Sequence, residues 1–343
     1  MTGQRLPTPE ELLEHAVVLS LPMRTRFRGI TTREVMIVEG PAGWGEFGPF
    51  VEYDDEESAA WLAAGIEAAY LGPPPARRDR VPVNATVPAV PASEVAGILA
   101  RFPGARTAKV KVAEPGQTLD DDVARVAATR ELIGRVRVDA NGKWTVAQAV
   151  TALRAIGDLE YAEQPCATVE ELAAVRRAVD VPIAADESIR KAADPMRVVA
   201  AEAADIAVLK VAPLGGMRAV LTLAEEIGLP VVISSALDSA VGIAAGVAAA
   251  AALPELPFAC GLGTGSLFTG DVADGGTPDG GTPDGGTPDG GTPDDGHLRP
   301  RWFGPGDLDV PSTLRAADDR RQWWHERLRR AHAVLTARGH RLG

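Results

Sequence analysis

The chain of 343 residues carries 47 acidic and 35 basic side chains, which gives a formal net charge of −12. This length is sufficient for one large domain or two modest ones, and the acidic balance argues against nucleic acid as a partner. No apolar run reaches the roughly 18 residues of a membrane span, and the N-terminus lacks the apolar core of a signal peptide. The two cysteines have no CxxC spacing and support neither a disulfide framework nor a cysteine-ligated zinc site, so a cytoplasmic location is expected.

The first 80 residues predict an α+β unit. The segments HAVVLSLPM, TRFRGIT and REVMIVEG have the composition of consecutive antiparallel strands, which WGEFGPF continues. Residues 54–71 then predict a helix that opens with an acidic first turn.

Between residues 81 and 263, short β-branched runs alternate with amphipathic stretches whose apolar residues recur every three to four positions. The eight runs are VPVNATV, TAKVKVA, RVRVDAN, LEYAEQP, VPIAADES, DIAVLKV, PVVISSAL and FACGLG. Eight strands that alternate with helices predict a parallel sheet buried on both faces. The even repeat of near 24 residues favours a closed (β/α) barrel over the alternative, a doubly wound open sheet.

The final part of the chain contains a tandem repeat and a charged helix. The pentad GGTPD occurs four times between residues 275 and 294, and its four aspartates supply a third of the net charge. Such a composition cannot bury apolar area, so a solvated loop is expected, and a period of five excludes a collagen-like structure. A helix is predicted from about residue 314 to residue 338. The segment GLGTGS (261–266) lacks the following helix of a nucleotide-binding fingerprint.

Candidate functional residues recur once per unit of the predicted barrel, at the carboxyl ends of strands two to six. The spacings are 28, 24, 23 and 24 residues along the series Lys111, Asp139, Glu163, Asp186 and Lys210. Active sites of barrel enzymes form at this end of the strands, so the regular series predicts a catalytic site.

The three carboxylates of the series come from adjacent strands and are expected to converge. Without a cation they would repel one another, and burial would raise their pKa values. Mg²⁺ prefers oxygen ligands, whereas zinc is disfavoured because residues 81–263 contain no histidine. Asp139, Glu163 and Asp186 are therefore the candidate ligands of Mg²⁺. The alternative is that they are ordinary surface carboxylates at strand ends.

The lysines predict a base on one side of the barrel mouth and a cation on the other. Lys109 and Lys111 are two residues apart on one strand and therefore share a face. The charge of Lys109 is expected to lower the pKa of Lys111 and so prepare it as a general base. Lys210 lies four strands further round and is expected across the mouth. A base that faces a metal ion is suited to removing a proton α to a carboxylate. The alternative is that the lysines only form salt bridges with the three carboxylates.

The motifs KxK, DAN, EQP and DES, with a lysine on the sixth strand, resemble the enolase superfamily, in particular its lysine-based, muconate-lactonising-like branch. Within that branch, LPMRTRFRGITTRE, GWGEFGPF, DESIRK and VISSALDSAVG are most similar to the actinobacterial o-succinylbenzoate synthases. The resemblance covers nearly the whole chain. It implies an α+β capping domain at 1–80, a TIM-like (β/α)7β barrel at 81–263 and a C-terminal segment at 264–343 that returns to the cap. The GGTPD repeat is not part of the family pattern.

The resemblance also implies a reaction, the Mg²⁺-dependent dehydration of 2-succinyl-6-hydroxy-2,4-cyclohexadiene-1-carboxylate to o-succinylbenzoate in menaquinone biosynthesis. Lys111 is implied as the base that also protonates the departing hydroxide, Lys210 as the group that stabilises the enediolate from the opposite face, and Lys109 as the group that tunes Lys111. The implied metal ligands are the three carboxylates named above. A mobile cap loop at 23–27 is implied to close over a substrate pocket lined by Asn141, Ser234, Ser235 and Gly261.

Two other functions stay open at this point. An N-succinylamino acid racemase or dipeptide epimerase of the same branch would use both lysines, one on each face of the substrate. A non-catalytic barrel that only binds a ligand is a more remote alternative, because the ligand set and the lysines are complete. In each enzymatic case the expected partner is a small-molecule carboxylate, without nucleic acid or membrane.

Overall fold

A computed structural model describes residues 5–191, 194–274 and 295–343. In these ranges an antiparallel three-stranded sheet and its helices adjoin a barrel of parallel strands. The GGTPD repeat at 275–294 lies outside the described residues, so the expectation of a solvated loop stays a prediction. Among the described helices, none combines the length and the hydropathy needed to cross a membrane.

The N-terminal region forms the antiparallel sheet and one long helix. Its elements are α1 (Pro9–Glu14), β1 (Ala16–Phe27), β2 (Ile30–Gly40), β3 (Gly43–Phe47) and α2 (Asp55–Leu71). The predicted helix at 54–71 is confirmed, with Asp54 as a cap that accepts a hydrogen bond from the Glu57 N–H at 2.8 Å.

The prediction of separate strands at HAVVLSLPM and TRFRGIT is wrong, because one strand, β1, covers the first segment and the start of the second. The register of β1 against β2 shifts between Pro22 and Phe27 without ending the strand. The chain reverses only at Arg28 and Gly29, whose φ angles of 50° and 79° are both left-handed. The result is one long hairpin whose tip reaches beyond its own sheet.

The predicted closed barrel is confirmed. Its elements are β4 (Val81–Pro82), β5 (Ala85–Val87), α3 (Val95–Leu99), β6 (Thr107–Lys111), α4 (Leu119–Arg130), β7 (Arg135–Asp139), α5 (Val146–Ile156), β8 (Tyr161–Glu163), α6 (Val169–Ala178), β9 (Ile183–Ala185), α7 (Glu187–Arg190), α8 (Arg197–Ala200), β10 (Ile206–Leu209), α9 (Met217–Ile227), β11 (Val231–Ile233) and α10 (Ala240–Ala252). Strands β5 to β11 pair in consecutive parallel order. The eighth position is filled by Cys260 and Gly261, which bridge Val83 on one side and Ser234 on the other and so close the ring.

Three successive barrel helices begin with the same capping box. Thr118, Thr145 and Thr168 each accept a hydrogen bond from the backbone three residues on, and the side chain there bonds back to the threonine N–H. These caps fix where α4, α5 and α6 start, and so they fix the loops that follow the site-bearing strands.

The C-terminal region adds β12 (His297–Leu298), paired with β4, and α11 (Asp318–Ala337). The helix predicted from about residue 314 begins later, because residues 312–314 form a separate 3₁₀ turn. Trp324 and Leu328 of α11 are fully buried in an apolar core shared with β1, β2, β3 and α2, while the barrel has a second core of its own.

Candidate active site

Strand register brings the predicted residues to one edge of the barrel. Lys111 pairs directly with Asp139, and Asp139 pairs directly with Glu163. Asp186 follows β9 by one residue and Lys210 follows β10 by one residue. Because the strands are parallel and in order, all five carboxyl ends open into the same mouth.

Six charged side chains at this mouth are here called the barrel-mouth cluster: Lys109, Lys111, Asp139, Glu163, Asp186 and Lys210. Lys109 Nζ lies 2.8 Å from Glu163 Oε1 and 3.4 Å from Asp139 Oδ2. Lys111 Nζ lies 2.5 Å from Asp139 Oδ2, and Lys210 Nζ lies 2.6 Å from Asp186 Oδ2. The three carboxylate side chains are at most 2 % exposed, so each charge depends on its partners.

The three carboxyl groups have different pKa values because their surroundings differ. Burial acts to raise the pKa of Asp139, but the charges of Lys111 and Lys109 outweigh it and hold the pKa well below its usual range. Burial likewise acts on Asp186, but Lys210 and Arg190 lower its pKa to about 2. For Glu163, burial prevails over Lys109 and raises the pKa to about 7. The aspartates therefore supply fixed negative charge at neutral pH.

The two lysines of β6 differ in the same way. Burial acts to lower the pKa of Lys109, but Glu163 and Asp139 outweigh it and raise the pKa above its ordinary value. For Lys111, burial is the largest influence, the charge of Lys109 adds to it, and the pKa is lowered in spite of Asp139. The sequence predicts a lowered pKa for Lys111, and the structure gives the same direction. Burial lowers this pKa more than the charge of Lys109 does.

A cavity of about 40 Å³ lies over the cluster and has room for only a few water molecules. All four predicted pocket residues line it: Asn141, Ser234, Ser235 and Gly261. The hairpin tip covers it with Phe27 and Arg28, and the Phe27 ring centre lies 5.5 Å from Lys111 Nζ. A substrate larger than a few waters therefore requires the lining side chains or the hairpin tip to move.

The predicted pocket residues bond mainly to protein groups around the cavity. Asn141, with a left-handed φ of 47°, accepts a hydrogen bond from Lys111 Nζ at 2.8 Å. Ser235 Oγ donates to the Gly261 carbonyl at 3.1 Å and lies 2.7 Å from the Thr264 hydroxyl. Ser234 Oγ lies 3.4 Å from the Gly261 carbonyl oxygen. A side chain at Gly261 would lie 2.4 Å from Ser234 Oγ, so the close approach requires glycine.

Sequence reasoning missed Arg190, which is buried beside the cluster. Its Nε donates to Asp186 Oδ1 at 3.0 Å, and its Nη2 donates to Glu187 Oε1 at 2.7 Å. Glu187 in turn accepts from Asn141 Nδ2 at 3.3 Å. The signal for Arg190 is its position four residues after Asp186 in the motif DESIR, which places both side chains on one face of a helical turn.

A second buried charged group lies where the antiparallel sheet meets the barrel, and is here called the seam cluster: Arg33, Glu46 and Asp238. Arg33 Nε donates to the Leu237 carbonyl at 3.1 Å, and its Nη2 donates to the Gly48 carbonyl. Glu46 Oε2 accepts from the Ser239 N–H at 2.8 Å. These bonds hold residues 237–239, whose neighbours Ser235 and Ala236 line the cavity.

The donor set of the barrel mouth fits a divalent cation. Three buried carboxylates stand on adjacent strand ends, and hard divalent ions prefer oxygen ligands of this kind. Within the described ranges, no three acidic, histidine or cysteine side chains are grouped closely enough to hold an ion as they stand. The ammonium groups between the carboxylates provide the positive charge that such an ion would bring.

A larger groove of about 910 Å³ lies at the opposite end of the barrel, where β11 begins at Val231. Its walls are mainly apolar and rich in proline, and none of the barrel-mouth residues reaches it. The predicted lysines and pocket residues line the smaller cavity instead.

Comparisons with known proteins agree with this geometry. Residues 18–69 match the model of an enolase N-terminal domain-like family, and residues 94–285 match that of an enolase C-terminal domain-like family. The chain belongs to the enolase superfamily. Among superfamily members, it is 62 % identical over 333 residues to an o-succinylbenzoate synthase of Mycobacterium tuberculosis, covering 96 % of this chain and 97 % of that protein.

A second curated relative, from Mycobacterium ulcerans, carries the same name and is 61 % identical over 334 residues, which cover 96 % of this chain and 97 % of that protein. Among solved structures of the superfamily, a muconate cycloisomerase from Pseudomonas fluorescens superposes with a TM-score of 0.68 at 22 % identity, covering 88 % of this chain and 98 % of that chain. An N-succinyl Arg/Lys racemase from Bacillus cereus superposes with a TM-score of 0.67 at 20 % identity, covering 88 % and 97 %. At these identities the superpositions show the fold alone. Enolase-superfamily membership implies a divalent metal.

Proposed function

We propose that this chain dehydrates 2-succinyl-6-hydroxy-2,4-cyclohexadiene-1-carboxylate to o-succinylbenzoate in menaquinone biosynthesis, with Mg²⁺ as the metal. The curated relatives at 62 % identity carry the name of this activity. The observation that carries the mechanism is the placement of Lys111 and Lys210, which line one cavity from strands four positions apart in the ring. Three buried carboxylates lie between them.

Asp139, Glu163 and Asp186 would hold the metal ion. Mg²⁺ supplies positive charge that stabilises the negative charge developing on the substrate carboxylate. Burial and the charge of Lys109 lower the pKa of Lys111, which favours its neutral form. This makes a neutral amine available at Nζ.

Lys111 Nζ removes the proton α to the ring carboxylate. The carbon–oxygen bond to the departing hydroxyl then breaks, the new double bond completes the aromatic ring, and the ammonium of Lys111 returns its proton to the hydroxide as water. Lys210 stabilises the negative charge of the enediolate from the opposite face. Lys109 stays protonated, lowers the pKa of Lys111 and contacts the substrate carboxylate.

The pocket wall is formed by Asn141, Ser234, Ser235 and Gly261. The hairpin tip at Phe27 opens to admit the substrate and then excludes water from the site. We assign residues 1–80 and 264–343 to the cap and residues 81–263 to the barrel. This division is supported by the apolar core that α11 shares with the N-terminal sheet.

The proposal is tested by following o-succinylbenzoate formation by the purified full chain. Turnover is expected with Mg²⁺, lost on chelation and restored when the ion is returned. A chain that forms no product under these conditions would overturn the proposal.

Racemisation of N-succinylamino acids is the second candidate activity, and the presence of lysines on both sides of one cavity favours it. Exchange of the α-proton of an N-succinylamino acid in D₂O measures this activity. We expect exchange to be slower than dehydration in kcat/KM, and faster exchange would make racemisation the principal reaction.

A further inference from the structure

A buried acid and a buried arginine on α4 lie directly behind the strand end that carries Lys111. Asp122 and Arg125 are one helical turn apart, and their side chains are at most 4 % exposed. Arg125 Nη1 lies 2.8 Å from Asp122 Oδ1, so the two charges compensate each other. Charged side chains are rarely buried to this extent unless their bonds have a structural or functional consequence.

The pair holds the backbone on both sides of Val112. Arg125 Nη1 donates to the Lys111 carbonyl at 2.8 Å, and Asp122 Oδ2 accepts from the Ala113 N–H at 2.9 Å. Arg125 also donates through Nε to the Val90 carbonyl at 2.6 Å. The end of β6 is therefore fastened to α4 and to the loop after β5 by side chains that do not line the cavity.

Ala113 shows why the fastening is needed. Its φ of 58° is left-handed, a conformation that is costly for a residue with a Cβ. The bond from its N–H to Asp122 compensates for that cost and sets the direction in which the chain leaves β6. The position of Lys111 Nζ depends on this direction, because the side chain projects from the last residue of the strand.

We propose that Asp122 and Arg125 are positioning residues for the dehydration, which hold the backbone of residues 111–113 so that Lys111 Nζ faces the reacting carbon. This inference rests on the role proposed for Lys111. An error of about 1 Å in the placement of a reacting group costs on the order of 10²-fold in rate. Neither residue lines the cavity, so their effect reaches the substrate only through Lys111.

The barrel has a similarly bonded but less buried acid–arginine pair at its other end. Arg176 on α6 bonds Asp205 Oδ1 at 2.8 Å, and Asp205 Oδ2 accepts from the Ile183 N–H at 2.9 Å. This pair also joins an acid, an arginine and the backbone of a strand. Its side chains are about a third exposed, and it holds the beginning of β9, at the opposite end of that strand from Asp186. It serves as a control for the general effect of losing such a contact.

The test compares Asp122→Asn with Asp205→Asn. Arg125 donates to Oδ1 of Asp122 and the Ala113 N–H donates to Oδ2. In Asp122→Asn one of these positions becomes an NH₂ donor, so the side chain cannot keep both bonds in this geometry. We expect kcat per folded enzyme to fall by about 10²-fold, with KM changed by no more than about threefold. Asp205→Asn is expected to lower thermal stability while kcat stays within about twofold of the parent value.

A second variant separates positioning from simple loss of structure. Glycine adopts the left-handed conformation freely, so Ala113→Gly added to Asp122→Asn is expected to recover about tenfold in kcat. A merely structural role for Asp122 predicts no recovery, because added chain flexibility only weakens the fold. Parent-like kcat in folded Asp122→Asn, or absence of recovery in the double variant, would overturn the positioning role.

Lys111→Ala is measured alongside to keep the two proposals apart. If Lys111→Ala is inactive while Asp122→Asn turns over normally, the positioning role fails and the proposed function stands. If Lys111→Ala itself retains turnover, the proposed base is wrong, and the positioning role fails with it.

Discussion

The barrel-mouth cluster and the seam cluster are both buried groups of ionisable side chains, but their hydrogen-bond partners differ. In the barrel mouth, carboxylates are bonded to lysine side chains, as in the 2.6 Å contact between Lys210 and Asp186. In the seam, charged groups are bonded largely to the backbone, as in the contact of Arg33 with the Leu237 carbonyl. Ionisable side chains thus bond mainly to one another in the barrel-mouth cluster and mainly to backbone groups in the seam cluster.

This difference predicts different consequences. Side-chain ion pairs can exchange partners when a metal and a substrate arrive, and their desolvation offsets much of their contribution to stability. Bonds to backbone groups instead fix the path of the chain, and losing one leaves a buried polar atom without a partner. Substitutions in the barrel mouth should therefore act mainly on catalysis, and substitutions in the seam should act mainly on stability.

The largest of the four effects described here is expected for Lys210, on the side of the barrel mouth opposite Lys111. Lys210→Ala removes the charge that stabilises the enediolate and should lower kcat by about 10³-fold. Arg190 Nε, which donates to the other oxygen of Asp186 at 3.0 Å, still compensates this buried carboxylate and limits the loss of thermal stability. Steady-state kinetics and a melting curve measure both quantities. Lys143→Ala removes a lysine from a half-exposed pair with Glu114 and is the control, with kcat expected to be unchanged. A large fall in melting temperature for Lys210→Ala would contradict the distinction.

Metal binding provides the next effect. A ligand at about 100 times its Kd stabilises the folded state by about 2.7 kcal/mol, so Mg²⁺ should raise the melting temperature of the parent chain. Asp186→Asn removes a proposed ligand and should abolish most of this rise. Glu114→Gln, which alters a carboxylate outside the cluster, should keep it. An equal rise in Asp186→Asn and the parent would remove Asp186 from the ligand set.

Glu46 of the seam cluster should make the free energy of unfolding depend on pH. Burial, with the charge of Asp238, raises the pKa of Glu46 from an ordinary value of 4.5 to about 8. Between these values the folded protein keeps a proton that the unfolded chain releases, so the free energy of unfolding falls as pH rises from about 5 to 8. The slope from one such group is at most about 1.4 kcal/mol per pH unit.

Glu46→Gln cannot ionise and should flatten this slope in denaturant titrations at several pH values. Glu226→Gln, at an exposed site on α9, should leave it unchanged. The same slope in Glu46→Gln and the parent would show that Glu46 is not the group that titrates.

The smallest effect is expected for the GGTPD repeat, because its sequence contains no large apolar side chain. Replacing residues 275–294 with a Gly–Ser segment of equal length should leave kcat within about twofold and the melting temperature nearly unchanged. A substantial loss of either would show that the repeat contributes to the folded enzyme.

The barrel mouth was predictable because a closed barrel repeats with a fixed period. Candidate residues recur once per unit at the strand ends, so this spacing alone identifies residues such as Asp139 and Glu163 without knowledge of their contacts. The seam was not predictable in this way, because Arg33 and Leu237 are 204 positions apart and meet only when the sheet docks on the barrel.

Local sequence patterns also failed to predict residues whose role depends on their burial. Asp122 and Arg125 have the spacing of an ordinary solvated helix pair, and nothing in the sequence distinguishes them from an exposed one. Ala113 has no side-chain preference for its left-handed conformation, so the turn after β6 gives no local signal. The prediction divided the long strand β1, whereas the strand continues through its shift of register between Pro22 and Phe27.

The central claim is that chemistry resides in the barrel mouth with Lys111 as the base. Its most direct test measures kcat for o-succinylbenzoate formation, with Mg²⁺, in Lys111→Ala and Glu46→Gln under identical conditions. Lys111→Ala should lose about 10³-fold or more, whereas Glu46→Gln should stay within about threefold of the parent. Retained turnover in Lys111→Ala, or an equal loss in both variants, would contradict the account.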